Sequence, residues 1–123
     1  MEIKKILHVE DDEDIQAIAL IALETMGGFE VMQCSSGRDA VDKAPAFQPD
    51  LYLLDAMMPG MTGLETLAEL RKNGSLGDVP AIFMTAKAQS SEVSEFLDSG
   101  ALGVITKPFD PMTLADQIRD ICA

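Results

Sequence analysis

Residues 51–63 read LYLLDAMMPGMTG, and this stretch combines a strand, an acidic residue and the start of a helix. Leu51–Leu54 is a short, uninterrupted apolar run of the kind that forms a buried parallel strand. Asp55 follows this run directly. Thr62 and Glu65 have the spacing of a capping box, in which two side chains satisfy free backbone N–H groups at a helix start. The stretch therefore predicts a strand that is followed, after a short loop, by a helix.

Short apolar runs and helical patterns alternate along the rest of the chain. The other runs of strand length are Ile3–Val9, Phe29–Cys34, Ala81–Met84 and Leu102–Ile105. Between the first two of these, apolar residues recur at helical spacing from Ile15 to Met26, which is typical of one face of an amphipathic helix. Gly27 and Gly28 follow and offer a place for that helix to end.

Capping residues predict where the later helices begin. Ser36, with Asp39 three residues later, resembles a capping box. Asp110 is expected to be the N-cap of the last helix, with Pro111 at its first helical position. A further helical face is formed by Val93, Phe96, Leu97 and Gly100. Five strands alternating with five helices predict an α/β sandwich around a parallel sheet, with functional groups beyond the carboxyl ends of the strands.

The composition indicates one globular domain over residues 1–123 with a strongly acidic surface. Hydrophobic residues make up 47% of the chain, and the formal net charge is −12. This charge repels nucleic acid and anionic membranes, so we expect direct binding to neither, and it favours cations and basic partners. Cys34 and Cys122 are expected to be reduced thiols, because they form neither a disulfide framework nor a zinc motif. Without a signal peptide pattern or a membrane-spanning apolar run, the chain is expected to be cytoplasmic.

Residues that suit phosphoryl chemistry follow four of the predicted strands. Glu10 and Asp11 follow the first strand, Asp55 the third, Thr85 the fourth and Lys107 the fifth. We expect them to lie close together, because the carboxyl ends of parallel strands meet at one edge of a sheet. Clustered carboxylates repel each other, and a hard cation such as Mg²⁺ relieves that repulsion. A carboxylate nucleophile forms an acyl phosphate, whose charge a lysine, a hydroxyl group and a metal ion stabilise.

Each of these residues also has an ordinary structural role to be weighed against the functional one. Asp55 alone is typical of a turn or cap aspartate. Residues 10–14, EDDED, are typical of an acidic helix start, the interpretation we prefer for Glu13 and Asp14. His8, the sole histidine, lies inside the first predicted strand and is expected to be a packed core residue. The functional interpretation is favoured because all the candidates follow strands of one sheet.

Four motifs give the sequence a family resemblance. They are ILHVEDD at residues 6–12, DAMMPGMTG at residues 55–63, Thr85-Ala86 and Lys107-Pro108, in this order and each after the expected strand. With them, the sequence resembles the receiver domain of bacterial two-component response regulators, of the chemotaxis response-regulator type, from about Lys4 to the C-terminus. The resemblance implies a flavodoxin-like three-layer sandwich with strand order 2-1-3-4-5. It also implies a cis peptide bond between Lys107 and Pro108.

The resemblance implies a role for each site residue. Asp55 matches the aspartate that accepts the phosphoryl group. Thr85 matches the hydroxyl residue that turns toward this group, and Lys107 matches the lysine that pairs with it. The implied ligands of Mg²⁺ or Mn²⁺ are Asp11, Asp55, Glu10 through a water molecule and Met57 through its backbone carbonyl.

The implied function is that of a signalling phosphoacceptor, not of an enzyme in the usual sense. The donor is a phosphohistidine of a sensor histidine kinase or a histidine phosphotransfer protein. The domain catalyses only its own phosphorylation and a slow dephosphorylation. Since no output domain is expected within these 123 residues, the signal would pass to a downstream protein target through protein contacts.

Departures from the family pattern leave two alternatives open. Val104 stands where many family members carry a tyrosine or phenylalanine that swings inward on activation, which supports a phosphorylation-independent interaction module. The second alternative is a metal-dependent phosphatase, which would need an aspartate where this chain has Met57. Met57 and Lys87 both flank the predicted site and are expected to influence the attack of water on the acyl phosphate.

Overall fold

The computed structural model describes residues 2–86 and 89–123. It contains one five-stranded sheet, formed by β1 (Lys5–Val9), β2 (Glu30–Cys34), β3 (Leu51–Asp55), β4 (Ala81–Thr85) and β5 (Gly103–Thr106). The strands are arranged in the order β2-β1-β3-β4-β5, and every neighbouring pair is parallel. The predicted α/β class and the strand order implied by the resemblance are therefore confirmed.

Helices cover both faces of this sheet. The α-helices of the described residues are α1 (Glu13–Leu20), α2 (Gly37–Phe47), α3 (Gly63–Arg71), α4 (Ser90–Asp98) and α5 (Leu114–Cys122). A π-helix, Ile21–Met26, continues α1, and a short 3₁₀ helix, Gly74–Leu76, precedes β4. Helices α1 and α5 pack on one face of the sheet, and α2, α3 and α4 pack on the other. No helix within the described ranges has the length and apolar character that a membrane crossing requires.

Two apolar clusters fill the space between the sheet and the helices, because successive strand residues point to opposite faces. In β1, Leu7 and Val9 belong to the cluster with α2, α3 and α4, whereas Ile6 belongs to the cluster with α1 and α5. All residues of β3 and β4 are buried, as their continuous apolar runs predict. Cys34 and Cys122 are buried free thiols in opposite clusters.

The ends of the strands differ by one or two residues from the predicted runs. β1 begins at Lys5 rather than Ile3, because its ladder with β2 begins there. β2 and β5 likewise begin one residue later than predicted. β3 and β4 extend one residue further, to Asp55 and Thr85, since both residues still pair with the neighbouring strand. Asp55 and Thr85 are thus held by the sheet itself.

Two helix starts and one helix end that were predicted from capping residues are confirmed. The side chain of Ser36 caps α2 by accepting the N–H of Asp39 at 3.1 Å. At the start of α3, Thr62 Oγ1 accepts the N–H of Glu65 at 3.2 Å, and Glu65 Oε1 accepts the N–H of Thr62 at 3.0 Å. The π-helix after α1 ends at the predicted glycine pair, where Gly28 has a left-handed φ of 77°.

The start of α5 was predicted wrongly. The helix begins at Leu114 with Thr113 as its N-cap, and not at Asp110. Asp110 closes a turn of its own, because its Oδ1 accepts the N–H of Met112 at 2.9 Å. Its carbonyl oxygen accepts the N–H of Leu114 at 3.0 Å. Since an aspartate side chain serves a turn and a helix cap in similar ways, the local sequence did not distinguish the two.

Candidate functional site

Three carboxylates meet at the carboxyl edge of the sheet. Glu10 and Asp11 follow β1, and Asp55 is the last residue of β3. One carboxylate oxygen from each residue lies within 4.8 Å of the other two. Glu10 and Asp55 are only 1% and 4% exposed, whereas Asp11 is exposed. The neighbouring Glu13 and Asp14 lie in the first turn of α1 and are exposed, which agrees with the structural role preferred for them.

Lys107 supplies the positive charge that joins two of these carboxylates. Its Nζ lies 2.8 Å from Glu10 Oε1 and 3.0 Å from Asp55 Oδ1. Its backbone N–H donates to the carbonyl oxygen of Thr85 at 2.8 Å, and the Lys107–Pro108 bond is cis, as the resemblance implies. Burial by itself lowers the pKa of Lys107, but the hydrogen bonds to the two carboxylates outweigh burial and raise this pKa above its ordinary value. The side chain is therefore a fixed cation.

The carboxyl group of Glu10 lies in an unfavourable electrostatic environment. Burial raises its pKa, the hydrogen bond from Lys107 opposes this effect, and Asp55 adds to it, so that the pKa rises from 4.5 to about 7. One ammonium group beside three carboxylates leaves an excess of negative charge. A divalent cation with oxygen ligands removes such an excess, and the donor set therefore fits Mg²⁺ or Mn²⁺.

A cavity connects Asp55 with Thr85 and Lys107. Its volume is about 790 Å³, and all three residues line it. Thr85 is the last residue of β4 and is 5% exposed. The apolar part of the cavity wall consists of Ile15, Ala56, Met57, Leu64, Ala86, Phe96 and Pro108. The structure thus brings three of the five residues singled out for phosphoryl chemistry to the border of one space.

One known protein family matches almost the whole chain. Residues 6–119 match the response regulator receiver domain. The chain belongs to this family. The matched range contains every site residue from Glu10 to Lys107, and the protein is therefore a receiver domain of two-component response regulators.

Relatives of this receiver domain include transcriptional regulators and a chemotaxis protein. The phosphate regulon transcriptional regulatory protein PhoB of Pseudomonas aeruginosa is 35% identical over 118 residues, which are 96% of this chain and 51% of PhoB. The DNA-binding dual master transcriptional regulator RpaA of Synechocystis is 35% identical over 115 residues, which are 94% of this chain and 47% of RpaA. The structure of the chemotaxis protein CheY4 of Vibrio cholerae superposes with a TM-score of 0.89 at 29% identity, covering 98% of this chain and 99% of CheY4. The chain spans about half the length of the two curated relatives.

Two residues that support the receiver site were not predicted from the sequence. Asp12 is the N-cap of α1, where its Oδ1 accepts the N–H groups of Asp14 at 2.9 Å and Ile15 at 3.1 Å. Gln16 Nε2 donates to the carbonyl oxygen of Glu10 at 2.5 Å. An aspartate just before a helical apolar pattern is a capping signal that indicates Asp12. The bond of Gln16 to Glu10 leaves no such local signal.

His8, Met57 and Lys87 were also considered in the sequence analysis, and the structure places the first two of them. His8 is fully buried, as expected for a packed imidazole, and its Nδ1 lies 3.2 Å from Gln33 Nε2. Burial and, to a smaller extent, the charge of Lys107 lower its pKa to about 4, which keeps the ring neutral. Met57 is 75% exposed and lines the cavity. Lys87 lies outside the described residues.

Proposed function

We propose that Asp55 accepts a phosphoryl group from a phosphohistidine of a sensor histidine kinase or a histidine phosphotransfer protein. The observation that carries this proposal is the position of Lys107, whose ammonium group joins the buried carboxylates of Asp55 and Glu10. An ion pair that only stabilised the fold would not need a third, exposed carboxylate, and Asp11 lies beside it. Nor would it need to border a cavity of about 790 Å³.

In the proposed step, an oxygen of the Asp55 carboxylate attacks the phosphorus atom. The phosphorus–nitrogen bond of the phosphohistidine breaks, its electron pair stays on the imidazole, and an acyl phosphate forms on Asp55. Lys107 is already within hydrogen-bond distance of Asp55 and balances the negative charge of the transferred group. The Thr85 hydroxyl, which borders the same cavity, donates a hydrogen bond to a phosphoryl oxygen.

The carboxylates at the edge of the sheet are proposed to hold the metal ion. Asp11 and Asp55 would be direct ligands, Glu10 would act through a water molecule, and Met57 would use its backbone carbonyl. When bound, Mg²⁺ or Mn²⁺ supplies positive charge that stabilises the oxygens of the transferring group. The excess of negative charge among the three carboxylates supports this assignment.

We further propose that residues 1–123 act as one signalling domain. The domain would catalyse its own phosphorylation and slow dephosphorylation, and it would pass the signal to a downstream protein target through a changed surface. The net charge of −12 argues against nucleic acid as the direct target of this domain, although RpaA is named as DNA-binding. We also propose that the domain acts in the cytoplasm, where a kinase can donate the phosphoryl group.

Transfer from a protein donor tests this proposal. A histidine phosphotransfer domain is labelled with radioactive phosphate on its histidine, purified, and mixed with the chain in the presence of Mg²⁺. We expect the label to move to the wild-type chain and not to Asp55→Asn, while Asp42→Asn, which changes an exposed residue of α2, accepts it like the wild type. Equal labelling of Asp55→Asn and wild type would rule out Asp55 as the acceptor.

A further inference from the structure

The backbone of Glu10 continues past the end of β1 and is held at both of its polar atoms. Its N–H donates to the carbonyl oxygen of Cys34, the last residue of β2, at 3.0 Å. Its carbonyl oxygen accepts the side-chain amide of Gln16, from α1, at 2.5 Å. Because Glu10 is buried, this carbonyl group requires a partner within the protein. Gln16 therefore satisfies a backbone group that lies beyond the end of the strand.

The bond from Gln16 fixes the peptide group between Glu10 and Asp11. The carbonyl oxygen of Glu10 and the N–H of Asp11 belong to one planar unit, so a donor that holds the oxygen sets the orientation of the plane. The next peptide group is held as well, because the N–H of Asp12 donates to Glu10 Oε2 at 3.2 Å and Asp12 caps α1. Both peptide groups that flank Asp11 are thus fixed, although Asp11 is exposed.

A second glutamine holds the first one in place. Gln33 lies in β2, where it is paired with His8 of β1. Its Nε2 donates to the backbone carbonyl oxygen of Gln16 at 2.7 Å. The same nitrogen lies 3.2 Å from His8 Nδ1, which is then the acceptor of its second N–H. His8, Gln33 and Gln16 form a polar network that begins in the core and ends at the carbonyl oxygen of Glu10.

The buried imidazole of His8 is explained by this network and not by apolar packing. Since Nδ1 accepts the amide of Gln33, the proton of the neutral ring is on Nε2. Within residues 2–86 and 89–123, this Nε2 has no hydrogen-bond partner, and an unpaired buried N–H is destabilising. An apolar side chain avoids that cost, as does Leu53, the buried partner of His8 on β3. The contact with Gln33 is what the imidazole adds.

We propose that Gln16 and Gln33 are positioning residues for the metal ion, which hold the Asp11 carboxylate beside Asp55 before the ion binds. The inference rests on the proposed function, because Asp11 is assigned there as a direct ligand. One oxygen of Asp11 lies within 4.8 Å of one of Asp55. Without the network, the backbone at Asp11 is free to take other orientations, and the conformational entropy of fixing it is lost on binding. The network removes this cost in advance and so increases the affinity for the ion.

Titration of the metal-free, isotope-labelled chain with Mg²⁺, followed by NMR without a phosphoryl donor, tests the inference. Gln16→Met keeps an unbranched side chain but removes the donor, and we expect the Kd for Mg²⁺ to rise about tenfold. Gln33→Met should raise the Kd by less, because it acts through Gln16. Gln48→Met is the matched control, since Gln48 Nε2 donates to the carbonyl oxygen of Pro45 at 2.6 Å, at the end of α2. This variant should keep the wild-type Kd.

Spectra of the metal-free chain separate positioning from a general loss of stability. A hydrogen bond to the carbonyl oxygen of Glu10 affects the ¹³C signal of that carbonyl group and the ¹⁵N signal of Asp11. We expect both signals to move in Gln16→Met and to stay in place in Gln48→Met. The double variant Gln16→Met/Gln33→Met should bind Mg²⁺ as tightly as Gln16→Met alone, because both substitutions remove the same support.

The outcomes separate this inference from the proposed function. A wild-type Kd in Gln16→Met would overturn the positioning role and leave the assignments of Asp11 and Asp55 intact. An equal rise of the Kd in Gln48→Met would overturn it too, since the effect would then not depend on the network. Losses that multiply in the double variant would show that the two glutamines act independently. If the wild type does not bind Mg²⁺, the proposed metal site fails and this inference fails with it.

Discussion

At the scale of single residues, Asp11 differs from the other two carboxylates of the site. Glu10 and Asp55 are buried and share the ammonium group of Lys107, whereas Asp11 is exposed. For an exposed carboxylate next to a buried ion pair, the free-energy cost of replacing bound water with a metal ion is small. Asp11 is therefore the residue whose removal should affect metal binding most and the apo fold least.

Removal of the Asp11 carboxylate should weaken the binding of Mg²⁺ by at least about tenfold. A bound ion stabilises the folded state by RT ln(1 + [Mg²⁺]/Kd), so at Mg²⁺ concentrations well above Kd the Asp11→Ala variant should lose about 1.4 kcal/mol of this stabilisation. Urea unfolding with and without Mg²⁺ measures the difference. Asp14→Ala, which removes an exposed carboxylate from α1, is the control and should respond to Mg²⁺ like the wild type. Equal responses of the Asp11 and Asp14 variants would show that Asp11 is not a ligand.

At the scale of the elements, the start of α3 packs closely against the end of β3. A Cβ atom on Gly63, the first residue of α3, would lie 2.4 Å from the carbonyl oxygen of Asp55 and 3.1 Å from the Cα of Ala56. The backbone N–H of Gly63 donates to the carbonyl oxygen of Ala56 at 3.1 Å. Only glycine allows this approach, so the start of α3 and the end of β3 fix each other's position.

Substitution of Gly63 should disturb both stability and phosphorylation. We expect Gly63→Ala to reduce the free energy of unfolding by about 1–3 kcal/mol, because the backbone of β3 or the start of α3 must move. The rate of phosphorylation should fall as well, since Asp55 is displaced. Gly74→Ala is the control, because a Cβ there meets no atom within 4 Å. Thermal unfolding and the initial rate of labelling measure the two effects, and a Gly63→Ala variant as stable and as fast as Gly74→Ala would refute the explanation.

The elements also show what local sequence can predict. The starts of α2 and α3 were predictable because Ser36 and Thr62 bond to residues only three positions away. The start of α5 was not, because Asp110 has a competing local turn. The bond between Lys107 and Glu10 joins residues 97 positions apart. The sequence indicated which residue types gather at the edge of the sheet, whereas the partners and distances required the structure.

At the scale of the whole molecule, the fold was predictable because one pattern repeats along the chain. Buried apolar runs alternate with amphipathic helices, and such a chain has few arrangements other than a parallel sheet covered on both faces. The order of the strands came from the family resemblance. The cavity between Asp55 and Phe96 could not be predicted, because its shape depends on how α3 and α4 pack against the sheet.

We propose above all that Asp55 is phosphorylated in a reaction that requires a divalent metal ion. Intact mass spectrometry after incubation with acetyl phosphate tests it most directly, with wild type and Asp55→Asn each treated in the presence of Mg²⁺ and of a chelator. We expect the added mass of one phosphoryl group in wild type with Mg²⁺ and in none of the other samples. Added mass in Asp55→Asn, or equal added mass with Mg²⁺ and with chelator, would contradict it. Failure of the wild type to gain mass even from a phosphorylated histidine donor would instead favour an interaction module that works without phosphorylation.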